Sequence, residues 1–183
     1  MRPTLYTFLC LLLFSFSQAQ FSRKSLDNQW DRMLLVSKYE GINTSGFEAV
    51  YYKNNNLWWN DWFTPWSIGL QSTRIRNDKF EESEYLSADL GYITLGITGF
   101  KNLTEKLYIN IDLGVNIGFE NLIDFNSTPK DRFIIGLSSS QGILYIPNTN
   151  SGFVFKAGIY EEVLTSKLYT YDVGVKFGAG FVF

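Results

Sequence analysis

The sequence predicts an all-β chain, an antiparallel up-and-down transmembrane β-barrel of about eight strands. Three observations lead there. An apolar leader opens the chain, apolar side chains then recur at every second position, and Gly, Asn, Ser, Asp and Pro cluster between the alternating segments. The 183 residues suit one domain, and a 45% hydrophobic content is ample for one buried surface. Sixteen basic against 18 acidic residues leave no basic excess for nucleic acid, so no nucleic-acid partner is expected.

The leader has the three parts of a secretory signal. Arg2 supplies the positive n-region and Leu5 to Phe16 the apolar h-region. Ser17-Gln18-Ala19 places small residues ahead of a cut before Gln20. Residues 1–19 are therefore expected to be a cleaved signal peptide and residues 20–183 the barrel domain. The apolar run is shorter than the roughly 20 residues of a spanning helix. Cys10 lies inside the h-region, so the domain that follows has neither Cys nor His. Disulfides, a thiol nucleophile, His-based catalysis and zinc sites built on Cys or His are excluded from it.

In chain order the strands are expected at roughly 29–41, 45–54, 65–76, 84–98, 105–119, 131–139, 152–162 and 168–183. Met33 to Tyr39, Phe47 to Tyr51, Trp66 to Leu70 and Leu86 to Tyr92 carry short alternations. Leu107 to Phe119 carries the strongest, with Leu, Ile, Val or Phe at every odd position and Tyr, Asn, Asp or Gly at every even one. A helix would spread those apolar side chains around its circumference. Thirteen residues at about 3.3 Å each cover the roughly 9–11 that a tilted strand needs in hydrocarbon. Phe133 to Leu137, Phe153 to Ile159 and Tyr171 to Phe183 complete the set. Turns are expected at Gly41 to Gly46, Asn77-Asp78, Lys101 to Glu105, Asn126 to Asp131 and Pro147 to Gly152.

Alternation by itself fits a soluble sandwich or a lipocalin-like barrel as well, with the apolar face turned inward. The opposite face favours the membrane. Asp89, Asp112, Lys156, Asp172 and Lys176 stand there among Gly and Asn, the mixture of a small polar lumen. An eight-stranded interior is only just wide enough for side chains to fill, so these charges are expected to form a structural network.

The last eight residues, Lys176 to Phe183, resemble the C-terminal assembly signal of bacterial outer-membrane β-barrels. Lys176, Gly178, Phe181 and Phe183 fill the polar, glycine, hydrophobic and terminal-aromatic places of that pattern. With the signal peptide and about eight strands, the chain is similar to the small class typified by OmpX and the OmpA membrane domain. The resemblance implies a bacterial outer-membrane location, contact with outer-membrane lipid, insertion by the β-barrel assembly machinery, and both termini in the periplasm. The Ser-Gln-Ala-Gln ending of the leader also resembles signals of Bacteroidota.

Trp58, Trp59, Trp62 and Trp66 crowd a connection between two strands. They suit an interfacial aromatic belt, with a partner-binding platform as the second reading. Barrel acyltransferases, deacylases, phospholipases and omptin-type proteases rely on a His that is missing here. Ser138-Ser139-Ser140 with Lys130 reads as turn chemistry rather than a Ser–Lys pair. No phosphate-binding glycine motif occurs, and Glu81-Glu82-Ser83-Glu84 matches no calcium loop, so no catalytic residue, metal or cofactor is expected. The function expected is non-catalytic, a structural or accessory subunit attached to an envelope protein partner. A small passive pore and a soluble secreted ligand-binding barrel are the alternatives.

Overall fold

Alternating segments become strands along nearly the whole described chain. The computed structural model describes residues 30–54, 58–59, 62–76, 80, 83–147 and 152–183. The expected signal peptide, Cys10, the Asn77-Asp78 turn and most of the Pro147 to Gly152 turn lie outside these residues. The strands are β1 (Arg32–Gly41), β2 (Thr44–Lys53), β3 (Trp58–Trp59), β4 (Trp62–Phe63), β5 (Trp66–Ile75), β6 (Tyr85–Asn102), β7 (Leu107–Asp124), β8 (Pro129–Tyr145), β9 (Gly152–Leu164) and β10 (Tyr171–Val182).

Eight of them close an antiparallel barrel in the order β1-β2-β5-β6-β7-β8-β9-β10, each paired with its neighbour and β10 paired back to β1. Closure leaves no sheet edge along the wall, which is what lipid demands of a strand-built span. The two remaining strands, β3 and β4, form a short hairpin in the connection between β2 and β5, and Phe63 of β4 pairs with Phe100 of β6.

Odd positions of β7 and β10 face outward, as at Leu113, Val115, Ile117, Phe119, Val175, Phe177 and Phe181. Even positions face the lumen, as at Asn110, Asn116, Glu120, Asp172 and Lys176. The soluble alternative required the opposite and is set aside. Aromatic pairs sit toward both rims of the outer wall. Tyr51 with Trp66 and Phe153 with Phe181 stand near the chain ends, and Phe119 with Phe133 near the other rim.

Strands β6, β7 and β8 outrun their neighbours at the rim opposite the chain ends. Pairing of β5 with β6 stops at Arg74 and Asp89, and pairing of β8 with β9 stops at Gly136 and Leu164. Residues 85–88, the end of β7 and the start of β8 thus project as a three-stranded extension. At its tip Asp124 accepts the Asn126 and Thr128 backbone N–H groups at 2.9 Å each, and Ser127 takes φ 59°. The Thr128 N–H and the Lys130 ammonium hold the Asp124 carboxyl below the ordinary carboxylate range.

Candidate functional site

The interior is layered. At the end holding the chain termini, Trp30 folds under the barrel with its ring 5.2 Å from Phe63 and 5.4 Å from Phe100, both edge-on. Met33, Leu35, Tyr52, Leu144 and Val154 complete this apolar layer. At the other end Ile75, Leu90, Tyr92, Leu122, Ile134 and Tyr169 form a second one. Between them lies a polar middle with a cavity of about 30 Å³, room for a water molecule or so rather than for a permeating solute.

Two buried ion pairs anchor the middle. Lys176 Nζ donates to Glu48 Oε2 at 2.7 Å, and Gln71 Nε2 donates to Glu48 Oε1 at 2.7 Å. The same ammonium lies 5.5 Å above the Tyr160 ring and 5.9 Å above that of Tyr39. Lys156 Nζ donates to Asp112 Oδ2 at 2.5 Å, with Asn110 and Ser140 donating to the same oxygen. Low local dielectric makes such pairs strong, and makes the loss of either partner costly.

The other carboxylates are held without a cation. Asp172 accepts the Asn43 backbone N–H at 2.8 Å and the Tyr160 hydroxyl at 2.9 Å, together with the Thr44 hydroxyl. It thereby ties the two-residue β1–β2 turn to β10. Glu162 accepts from Tyr92 at 2.6 Å and Tyr169 at 2.9 Å, and Glu120 from Ser166 Oγ at 2.5 Å and Lys167 N at 3.1 Å. Both fasten the β9–β10 connection into the mouth. Among the described residues no group of His, Cys, Asp and Glu is arranged to hold a metal.

Of the expected lumen charges, Asp112, Lys156, Asp172 and Lys176 line the interior, but Lys176 meets Glu48, which was not among the expected residues. Asp89 is a correction. It stands on the outer face and pairs with Arg74 at 3.4 Å, both side chains well exposed. The reason is the apolar layer. Ala88, Leu90 and Tyr92 turn inward to build it, so the residue between them must point out. Exposed pairs contribute little, so Asp89→Asn is expected to shift stability by less than about 0.5 kcal/mol in a urea titration. Glu48, Glu120 and Glu162 had a legible signal that went unused. Each occupies the polar side of an alternating run, or continues it by one or two steps.

Two further expectations change. Ser138 to Ser140 lies within β8 rather than in a turn, where Ser140 sits 3.3 Å from Lys156 Nζ and donates to Asp112. That ammonium is committed to the Asp112 carboxylate, so hydroxyl, ammonium and carboxylate form one buried hydrogen-bonded cluster. The tryptophans also divide. Trp66 stands at the outer rim against Tyr51, whereas Trp62 is buried over Gly99 on the outer wall of β6. Trp58 and Trp59 pair with Phe63 and Trp62 through their backbones. Gly178 sits where a Cβ would overlap the Ser37 side chain, and Phe181 and Phe183 face outward.

A closed eight-stranded antiparallel wall, apolar outside and polar inside, has the architecture of a small outer-membrane β-barrel. No family model and no curated protein matches the chain. Among solved structures it is similar to Ail, the attachment invasion locus protein of Yersinia pestis, at TM-score 0.52 and 23% identity over 85% of this chain and 99% of that one. The Ail complex with the heparin analogue sucrose octasulfate gives TM-score 0.54 and 20% identity, with the same coverage. Neisserial surface protein A gives 0.55 and 12%, over 82% of this chain and 94% of that one. These are likenesses of fold, and they lend no support to an origin in Bacteroidota.

Proposed function

We propose that this chain is a non-catalytic integral protein of the bacterial outer membrane, serving an envelope complex as a structural or accessory subunit. The observation that carries the reading is the sealed lumen. Apolar layers close both ends of a polar middle whose two ammonium groups are each committed to a carboxylate, so the interior offers neither an open reaction site nor a continuous wet path. What remains for function is the outer wall and the two rims. The resemblance of Lys176 to Phe183 to an assembly signal supports delivery by the barrel assembly machinery. It also supports placement of the chain ends, with the β3–β4 hairpin, on the periplasmic side.

Extraction in a mild detergent is expected to recover the barrel with a stoichiometric companion, and planar bilayers holding the purified protein are expected to stay silent. Recovery as a free monomer would contradict the accessory role, and steady single-channel conductance would return the pore reading. A second reading is a surface adhesin, favoured by the three-stranded extension of β6, β7 and β8. Binding of intact cells to host matrix that disappears when residues 125–128 are replaced by Gly-Ser would select it.

A further inference from the structure

The three-stranded extension leaves one strand edge open. Pairing of β8 with β9 ends at Gly136 and Leu164, and one more step follows it. There Thr165 N–H donates to the Ile135 carbonyl at 2.9 Å, and Ile135 N–H to Thr165 Oγ1 at 3.0 Å. The chain then turns inward, where Ser166 Oγ and Lys167 N–H donate to Glu120. β8 itself runs on to Pro129, paired with β7 alone.

Ladder alternation fixes what this edge offers. Backbone groups that face β9 at Ile135 face the same way at every second residue. The N–H and C=O of Phe133 and of Asp131 therefore point away from β7, and among the described residues nothing bonds them. Pro129, which has no N–H, ends the run. Phe133 and Asp131 turn their side chains to the outer face and Arg132 to the lumen side, all three exposed. Asp131 accepts from Asn121 at 2.9 Å, and Lys130 is paired with Asp124 at 3.3 Å. Arg132 has neither ion pair nor hydrogen bond among the described residues.

These charges decide between occupants. Antiparallel pairing of two copies would set Asp131 against Asp131, Arg132 against Arg132 or Lys130 against Lys130, in whichever register the free groups allow. Like charges directly opposite destabilise a strand pair, which excludes a second copy.

We infer that the open edge of β8 takes up one extended segment of a partner protein, antiparallel, with an acidic side chain opposite Arg132 and a basic one opposite Asp131. Pairing through Phe133 and Asp131 satisfies the free backbone groups, and an apolar side chain of the segment meets Phe133. From its N-terminus the segment reads apolar, acidic, basic. The inference rests on the accessory-subunit reading for the existence of a partner, and deepens it by giving that partner a shape and a charge order.

The probe is the capped peptide Thr-Val-Glu-Lys-Thr-Val, titrated into the isotope-labelled barrel in nanodiscs and followed by amide NMR shifts. Shifts are expected to centre on Asp131 and Phe133. N-methylation of the peptide's Lys, whose N–H points at the edge, should abolish them. N-methylation of its Glu, whose N–H points away, should not. The charge-swapped Thr-Val-Lys-Glu-Thr-Val should bind about fivefold more weakly, and the double variant Asp131→Lys with Arg132→Glu should reverse that order. Equal effects of the two N-methyl groups, or no shift at Asp131 and Phe133, would overturn the edge. Equal affinity for the two charge orders would overturn the partner chemistry, and a dimer of the wild-type barrel in native mass spectrometry would return the second copy. In the detergent extraction, a companion still held by Asp131→Pro, a change that an edge strand tolerates, removes the edge and leaves the accessory role standing. Absence of a companion from the wild-type barrel removes the reading beneath it.

Discussion

Lys176→Met is expected to destabilise the refolded barrel by about 3–5 kcal/mol, because it strands Glu48 as an unpaired buried charge. Both side chains are less than a tenth exposed, and the Gln71 amide that remains cannot neutralise a carboxylate. The double variant Lys176→Met with Glu48→Gln should recover most of the loss. It removes both charges yet keeps an acceptor for Gln71. Urea unfolding from lipid vesicles, with protein refolded in the absence of any assembly machinery, measures the stability effect alone. Lys176 is also the polar position of the C-terminal pattern, so cells report a different quantity. A double variant that refolds well in vitro but fails to insert in cells would separate the two roles of this lysine.

Gly180→Val is expected to be poorly tolerated as well. A Cβ at position 180 would overlap the Leu34 carbonyl oxygen across the β1–β10 seam, and backbone cannot rotate aside as a side chain can. Gly174 and Gly136 meet neighbouring backbone carbonyls in the same way. The narrow wall curves so sharply that inward positions on facing strands nearly touch, and glycine is what lets them pass. The expected cost is about 3 kcal/mol or more, read as loss of the heat-modifiable form or a large drop in the urea midpoint. Gly91 provides the contrast. Its Cβ would meet nothing within 4 Å, so Gly91→Val should fold normally.

Much of the wall was legible because a lipid-facing strand states its orientation in period two. Expected strands at 105–119 and 152–162 became Leu107–Asp124 and Gly152–Leu164, and the polar side of each supplied Asp112 and Lys156. The rule fails where the lumen itself turns apolar. Leu86 to Tyr92 alternates like the others, yet Leu90 and Tyr92 face inward, because the mouth is closed by hydrocarbon there. No local pattern distinguishes an apolar side chain that caps the lumen from one that meets lipid. Trp30 was hidden for a related reason. It stands one residue outside the first alternation and acts only through distant Phe63 and Phe100.

Register was the other invisible quantity. The pairing of Lys176 with Glu48 joins residues 128 apart and depends on β1 standing between β10 and β2. Sequence alternation places both on the inner face but cannot set one opposite the other. The site therefore emerged from the face assignment plus closure of the barrel, and only the first of these is written locally.

Single cysteines carrying a nitroxide probe the account most directly, since the barrel domain itself contains no competing cysteine. Labels placed in turn at Val115, Asn116, Val175 and Lys176 in reconstituted vesicles should alternate. Positions 115 and 175 should collide freely with oxygen dissolved in the bilayer, and 116 and 176 should be shielded from both oxygen and water-soluble nickel chelate. High oxygen accessibility at the even positions, or nickel accessibility at the odd ones, would contradict the assignment of this surface to lipid.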